Sequence, residues 1–338
     1  MNRLMPIMLV FLAANIFAQE ATVTYLDGIV DVRKESGATY PADFGDELQS
    51  GDRVVTGRAA EAELELATGG LVAVRPDTVF LIGSSTRPDG ERTSRLSTAV
   101  GSFAFKFNAA LGNEPQVGST TAAAGVRGTE VVVYAGSDGT TRFEVLEGLV
   151  EIGDGEGSVT LGPEEGVEIT PGRGPSNVFA FLEQPIDYGV WNAGLVDGFL
   201  DDPLPALRGV AAEMREIIAE IERRAPGVEG LLERSEAETR KMNEMGEEDG
   251  QEAREEYFAQ TVMPLRREAR AAFVDLRFVV LSALSLDQYV VSRLAAEMEA
   301  AYFLEPDAPV LHEFREELAE LRAEYEAVVT PYLVAADL

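Results

Sequence analysis

The hydrophobic pattern of this chain changes once, near Pro205, and this change constrains the fold more than any other feature. Before it, short runs of β-branched and aromatic residues alternate apolar with polar positions, as in residues 103–107. After it, apolar residues recur every three or four positions. A period of two is typical of half-buried strands, and a period of 3.6 is typical of amphipathic helices. We therefore predict an α+β protein whose strands and helices form separate domains.

The strand-rich part should form a closed all-β unit, jelly-roll or solenoid-like, because its strands are short and regularly spaced. Asp138-Gly139 is the best hairpin candidate and Gly69-Gly70 the second, since these turn residues tolerate positive φ. Residues 26–32 (LDGIVDV) also match residues 146–152 (LEGLVEI) in residue type, position for position. We expect the two copies to mark the first and last parts of one domain and to pair or stack where it closes.

The helical part is predicted to be an antiparallel bundle of about four helices. A long helix is expected from Pro264 to about Leu304, because proline is accepted in a first turn and Pro306 ends the pattern. Residues 244–256 are dense in acids and contain Gly246 and Gly250. That composition predicts an exposed, mobile loop.

These patterns divide the chain into four segments. Residues 1–18 are predicted to be a signal peptide, 19–180 the β domain, 181–205 a linker and 206–338 the acidic helical bundle. Residues 170–205 are rich in proline and glycine and should lack regular structure. Trp191 lies among them and should pack against a neighbouring domain; a sugar-stacking platform is the alternative.

The N-terminus has the layout of a secretory signal peptide. One positive charge, Arg3, precedes an apolar run that ends near Ala18, and cleavage is expected between Ala18 and Gln19. The run is shorter than the ~20 residues that span a bilayer; a retained anchor is the alternative. Because no later segment qualifies as transmembrane, we expect an exported protein in the periplasm, at the cell surface or outside the cell.

Charge and cysteine content exclude several classes of partner and site. The net charge of −31 argues against nucleic acid and anionic lipid surfaces, since such a field repels phosphate. The helical half is the more acidic and is the better candidate for a cationic partner. The chain has no cysteine, which excludes disulfides, thiolate metal sites and a lipid-modified cysteine.

The sequence offers few groups for catalysis. The single histidine, His312, lies near the start of the last helix and is predicted to be a surface or capping residue. The acidic pairs 164–165 and 201–202 are expected by chance, and the acidic clusters 154–156 and 247–249 do not match a calcium loop. We predict no catalytic, cofactor-binding or metal-binding residues and hence no enzyme. A carbohydrate-active enzyme with unrecognised carboxylates is the alternative.

One motif stands out in the β part. Residues 119–133 (STTAAAGVRGTEVVV) lead from small residues through a Val-Arg-Gly-Thr step into a strand. The glycines allow a tight turn, the arginine can bridge carbonyls or carboxylates, and the threonine favours β structure. We expect its centre to be structural or to serve recognition: Gly125, Val126, Arg127, Gly128 and Thr129.

This motif resembles the signature of FecR domains. Further blocks that resemble the family occur in the family's order, at residues 26–30, 48–57, 62–74 and 145–148. The resemblance covers about residues 21–170 and implies an extracytoplasmic recognition or scaffold module. The founding FecR proteins are membrane regulators of a sigma factor, and this sequence shows neither their cytoplasmic segment nor their internal membrane helix.

From this resemblance we expect a non-enzymatic extracytoplasmic recognition or scaffold protein that binds a protein or glycan of the cell envelope. The alternative is a component of cell-surface signal transduction related to FecR-type sigma-factor regulation. No cofactor is expected in either case, and nucleic acid is not an expected partner.

Overall fold

The computed structural model describes residues 19–86, 92–107, 115–153, 158–181, 186–245 and 250–334. The predicted signal peptide and the acidic clusters 154–156 and 247–249 lie outside these residues. The β part of the described chain forms one continuous sixteen-stranded sheet. Its strands are β1 Ala21–Asp27, β2 Val30–Arg33, β3 Thr39–Pro41, β4 Glu47–Leu48, β5 Arg53–Thr56, β6 Glu61–Leu66, β7 Leu71–Val74, β8 Val79–Thr86, β9 Arg92–Lys106, β10 Gln116–Ser119, β11 Ala123–Ala135, β12 Thr141–Gly153, β13 Ser158–Leu161, β14 Glu165–Thr170, β15 Gly174–Pro175 and β16 Phe179–Ala180.

The sheet folds into two layers. Layer A runs through β3, β2, β5, β8, β9, β10, β11, β12 and β13. Layer B runs through β4, β1, β6, β7, β9, β11, β12 and β14, with β15 and β16 paired to β14. The long strands β9, β11 and β12 belong to both layers, so the sheet closes around one core. The predicted closed β unit is confirmed.

Glycine allows the long strands to change layers. Gly101 in β9, Gly128 in β11 and Gly148 in β12 have φ values of 97°, 57° and 83°, a region that strains other residues. Two of these crossings touch, because a Cβ on Gly148 would lie 2.4 Å from the carbonyl oxygen of Gly128. Each crossing therefore needs glycine for its backbone conformation, and Gly148 also needs it for space.

The core lies between the two layers and is built by alternate residues of each strand. Phe80 of layer A packs edge-on against Phe103, with ring centroids 4.9 Å apart. Phe105 and Phe143 are also fully buried in this core. Burial of each such side chain stabilises the fold by about 1.5–3 kcal/mol.

The two sequence copies, 26–32 and 146–152, do not pair with each other. Each instead crosses from layer B to layer A at a glycine, Gly28 (φ 76°) or Gly148. The expectation that the copies pair is therefore wrong. The two copies are alike because in each of them a strand passes from one layer to the other at a glycine. The hairpins at Asp138-Gly139, between β11 and β12, and at Gly69-Gly70, between β6 and β7, are confirmed.

The segment 170–205 was expected to lack regular structure, and that expectation is wrong. It contains β15, β16 and helix α1 (Tyr188–Asp201), whose N-cap Asp187 accepts a hydrogen bond from the backbone amide of Val190. Helix α2 (Pro203–Glu244) begins at the following proline. Proline is tolerated in a first turn, so the prolines here begin a helix instead of preventing one.

Three long helical segments make up most of the bundle. The first is α2. The second is the middle run, in which π-helical turns at Phe258–Val262 and Asp287–Val291 join α3 (Gly250–Tyr257), α4 (Met263–Leu286) and α5 (Ser292–Ala301). The third is α6 (Pro309–Val328), which is followed by the short α7 (Thr330–Val334). Arg208 and Arg215 of α2 pair with Glu317 and Glu324 of α6, so these two helices are parallel. The middle run is antiparallel to α2, because Arg254 contacts Asn243 and Tyr257 contacts Glu238. It is therefore antiparallel to α6 as well.

Two details of the helix prediction are wrong. The long helix begins at Gly250 and ends at Ala301, where the structure has a turn in place of the predicted Leu304 end. Residues 250–256, expected to be a mobile loop, form α3. Acidic residues in a first helical turn are favourable because they face the positive end of the helix dipole. Within the described residues, no helix has the length and apolarity needed to cross a membrane.

Candidate functional site

A cleft with a volume of about 560 Å³ lies between layer A and the helical bundle. This interdomain cleft falls in the size range of small-ligand sites, about 300–1,000 Å³. Its walls are the outward faces of β9, β10 and β11 on one side and helices α2 and α4 on the other.

The sheet wall of the cleft is flat because its outward residues are small. Leu96 and Val117 point into the β core, so their neighbours Ser97 and Gly118 face the helices. Ala123 of β11 continues this wall, and the next outward position, Gly125, is exposed and would have open space around a Cβ. Small residues here leave room for a ligand between sheet and helix.

The helix wall carries the charge. Arg223 and Arg224 both pair with Glu220 on α2. From the sheet side, the guanidinium of Arg95 lies 5.5 Å from the ring centroid of Phe278 on α4, a cation–π distance. The Arg95 Nε is buried, and no hydrogen-bond partner for it occurs among the described residues.

Burial perturbs two opposite charges beside the cleft. It lowers the pKa of the Arg95 guanidinium, against the field of Asp275. It also raises the pKa of the Asp275 carboxyl, partly offset by Arg95 and Arg224. Apolar, cationic and anionic groups thus meet in one groove, and such a mixture suits a peptide or glycan better than a purely apolar ligand.

Two glycines allow close packing between the helices and the β domain near the cleft. At one end, a Cβ on Gly209 of α2 would lie 2.2 Å from the carbonyl oxygen of Pro171. At the other, a Cβ on Gly83 of β8 would lie 2.1 Å from the Phe278 ring. Glycine at both positions lets the helices sit directly on the sheet.

Polar contacts extend the interface beyond the cleft. Arg277 of α4 donates from Nε to Glu35 at 2.8 Å and from Nη1 to the carbonyl oxygen of Tyr332 at 3.0 Å. Arg33 of β2 donates to the Tyr289 hydroxyl at 2.9 Å. Burial raises the pKa of the Glu35 carboxyl, with Arg277 acting against the shift.

Helix α1 adds a second set of contacts to layer B. The Tyr188 hydroxyl donates to the carbonyl oxygen of Ala135 and accepts from the amide of Gly101, both at 2.9 Å. Trp191 donates to Glu168 at 2.9 Å and lies against Tyr134. The prediction that Trp191 packs against a neighbouring domain is therefore confirmed, and its indole N–H is already occupied.

The five predicted motif residues all lie on β11, at its layer crossing. Val126 is buried, Gly128 has positive φ, and the amide of Phe107 donates to the Thr129 carbonyl oxygen at 3.0 Å. The backbone of Arg127 pairs with Leu149, and its side chain lies outside the described structure. None of the five lines the cleft, whereas Ala123, two residues before Gly125, does. The five residues therefore lie at the crossing, next to the cleft wall.

Other predicted polar groups have structural roles. His312 is exposed on the first turns of α6, 3.5 Å from Glu316, so its surface prediction is confirmed. Glu165 accepts from the amide of Gly162 at 2.7 Å, and Asp202 is the N-cap residue of α2. Among the described residues, no group of three or more acidic or histidine side chains is placed to hold a metal ion.

Sequence reasoning missed Arg95 and Phe278, the two residues that define the cleft. Arg95 lies in a polar stretch of β9 that has no apolar alternation, and Phe278 lies in an apolar helix where it is indistinguishable from core residues. The one available signal was the run of small residues before the Val-Arg-Gly-Thr step, since small outward residues on a strand leave room for another surface.

Part of the chain is similar to solved structures. Two crystal structures of a candidate anti-sigma factor from Parabacteroides distasonis resemble it at 19% and 18% identity, each with a TM-score of 0.33. Each match covers 41% of this chain, and the chain spans 63% of the length of that protein. No curated protein matches the sequence.

A family model gives the assignment. The model described as FecR protein matches residues 52–151, from the turn before β5 to the layer A half of β12. This range includes the Val-Arg-Gly-Thr step and the crossing at Gly148, and it confirms the resemblance. Residues 52–151 of the β domain are therefore a FecR domain.

Proposed function

We propose that this protein is a non-enzymatic, extracytoplasmic recognition or scaffold module whose FecR domain binds a protein or glycan of the cell envelope at the interdomain cleft. The observation that carries the proposal is the position of the FecR motif. Its centre is used to cross between layers, whereas its leading residues Ser119, Thr120 and Ala123 line the cleft.

The chemistry of the cleft supports binding. Arg95 lies over Phe278 at the sheet wall, and Arg223 and Arg224 line the helix wall. The cleft thus offers guanidinium groups to the carbonyl or carboxylate oxygens of a ligand. The helical domain forms the other wall and supplies a second interface.

The test uses the full mature chain, residues 19–338, immobilised and exposed to envelope extract and, separately, to purified peptidoglycan sacculi. Ala123→Trp places a large side chain on the sheet wall of the cleft, at an exposed strand position. Glu63→Trp places the same side chain on an exposed position of layer B and serves as the control.

We expect the wild type and Glu63→Trp to retain the same protein or glycan, and Ala123→Trp to retain about tenfold less, as expected for loss of one well-packed contact. Retention of neither by the wild type would contradict the recognition function. Equal retention by all three chains would place the site elsewhere.

Export is part of the proposal and has its own test. We expect the protein isolated from a fractionated cell to occur in the periplasmic or extracellular fraction with Gln19 as its first residue. A cytoplasmic protein that retains residues 1–18 would contradict it. A membrane-bound protein with these residues would indicate the anchor.

FecR-type cell-surface signalling is the second candidate, and the FecR domain itself favours it. In this case the retained partner would be a membrane regulator or an outer-membrane receptor instead of a glycan. Deletion of the gene would then change transcription of a defined set of genes. A glycan partner and an unchanged transcript profile would decide against signalling.

A further inference from the structure

One end of the helical bundle presents two large apolar side chains to solvent. Phe303 and Leu304, in the turn between α5 and α6, are 79% and 88% exposed. Leu304 is the most exposed large hydrophobic residue that the structure describes. Single exposed apolar residues are common, but two adjacent ones at the tip of a helical hairpin are a feature of binding surfaces.

The turn that carries them is ordered by its own contacts. The amides of Tyr302 and Glu305 donate to the carbonyl oxygens of Met298 and Tyr302, at 3.1 and 2.9 Å. Arg315 of α6 pairs with Glu299 of α5 through Nε and Nη2, at 2.7 and 2.5 Å, and joins the two sides of the turn. Because these contacts already order the turn, binding of a partner would cost little further conformational entropy.

Acidic residues surround the apolar pair. Glu305 and Asp307 are exposed in the same turn. The junction between α1 and α2 lies at the same end of the bundle, because Phe199 of α1 contacts Phe314 of α6. That junction adds the exposed acids Asp201 and Asp202.

The basic residues near this end are engaged by other acids. Arg208 pairs with Glu313 and Glu317, and Arg315 pairs with Glu299. The surface formed by Phe303, Leu304, Glu305, Asp307, Asp201 and Asp202, here named the acidic tip, therefore combines an apolar centre with a negative surround. An apolar centre with a polar rim is the usual composition of a protein interface.

We infer that the acidic tip inserts Phe303 and Leu304 into an apolar pocket of a partner protein whose rim carries lysine or arginine. Charge complementarity selects this occupant. An anionic bilayer would be repelled by the acids, and a second copy of this chain would present the same negative charge, with −31 on each. The inference rests on the proposed recognition function and names the chemistry of the second interface.

The test is site-specific photocrosslinking in envelope extract with the full mature chain. Benzoylphenylalanine replaces Phe303 in one chain and Phe273 in the control, which is also a partly exposed phenylalanine but lies on α4 away from the tip. A third chain carries benzoylphenylalanine at 303 together with Glu305→Lys and Asp307→Lys. Binding to vesicles of phosphatidylcholine and phosphatidylglycerol is measured in parallel.

We expect one discrete adduct from position 303 and none from position 273. Its yield should fall about tenfold with the two lysine substitutions and also at high salt, because complementary charges guide the docking. The crosslinked peptide, identified by mass spectrometry, should border an apolar pocket with basic residues on its rim.

Several results would overturn the inference. They are an adduct of twice the chain mass, binding to the vesicles, a yield that ignores the lysine substitutions, or equal adducts from both positions. Absence of any adduct, while the wild type still retains its ligand at the cleft, would refute the acidic tip and leave the proposed function standing. Absence of both would refute the two together.

Discussion

Arg277 of α4 reaches across the domain boundary and donates to the carboxylate of Glu35 at 2.8 Å. The two residues are 242 positions apart in the chain. Arg277 is buried, whereas the Glu35 side chain is 29% exposed, so the arginine is the better shielded partner. Its same guanidinium holds the carbonyl oxygen of Tyr332 after α6. One side chain thus joins the β domain, the long middle helix and the C-terminal helix.

Loss of this arginine should destabilise the whole protein. We expect Arg277→Leu to lower the free energy of unfolding by about 3 kcal/mol, because it leaves Glu35 and the Tyr332 carbonyl without their donor. Glu35→Leu together with Arg277→Leu should cost less than the sum of the single changes, since the uncompensated carboxylate is gone. Urea unfolding of the four chains checks this; strict additivity would show that the pair does not interact.

The layer crossings should depend on glycine. We expect Gly148→Ala to cost about 3 kcal/mol, because it adds a clash with Gly128 to the strain of positive φ. Gly37→Ala is the matched control: its φ is 86°, but a Cβ there would meet nothing within 4 Å. It should cost only about 1 kcal/mol. Similar losses for the two would show that the two crossings are not in close contact.

Two tyrosines, the half-buried Tyr188 and the buried Tyr325, should respond in opposite ways to loss of the side-chain hydroxyl. Burial raises the pKa of both Tyr188 and Tyr325 to about 12. The Tyr188 hydroxyl makes two hydrogen bonds, whereas that of Tyr325 is buried without a partner among the described residues. Tyr188→Phe should therefore destabilise by about 1–2 kcal/mol and Tyr325→Phe should be neutral or stabilising. Thermal unfolding distinguishes them, and equal destabilisation would contradict the assigned contacts.

Stability should increase as the pH falls from neutrality towards the ordinary carboxyl pKa of about 4. Burial raises the pKa of the carboxyls of Glu35, Asp138, Asp275 and Asp287. The folded chain then binds protons more readily than the unfolded chain between their ordinary pKa of about 4 and the raised values, so unfolding becomes less favourable as the pH is lowered through that window. Partial neutralisation of the net charge acts in the same direction.

Below about pH 4, stability should decrease as the pH falls further. Hydrogen bonds from basic partners lower the pKa of Glu299 and Glu324, and these carboxylates contribute stability that is lost when they protonate. Both are exposed, so their effect is small. A calorimetric Tm that falls steadily from pH 8 to 5 would contradict the expected effect of the buried carboxyls.

The strand-rich and helical halves could be predicted because their apolar periods differ. The first half of β9 could not be predicted, because its sequence is polar and resembles that of a loop. Its outward residues Arg95 and Ser97 are covered by helices, and this cover is not visible in the local sequence. Helix α1 could not be predicted, because Pro203 and the glycines around Trp191 are typical of a linker. The helix is stabilised by contacts of Tyr188 and Trp191 with the β domain.

The candidate site was only partly predictable for a related reason. The residues from Gly125 to Thr129 form a local motif, and the sequence predicts a tight turn there before a strand. That turn prediction is wrong, since all five residues lie within β11. The cleft forms between elements distant in sequence, and no local pattern brings Arg95 to Phe278. Docking of the two domains is therefore the step on which the functional account depends.

Double electron–electron resonance tests this docking most directly. The chain has no cysteine, so Glu61→Cys on β6 and Glu320→Cys on α6, both exposed positions, give two unique spin-label sites, one in each domain. If the FecR domain and the helical bundle form one body, the distance distribution will be a single narrow peak, unchanged between pH 8 and 5. A broad or multimodal distribution would show that the domains move independently and would remove the cleft as a defined site.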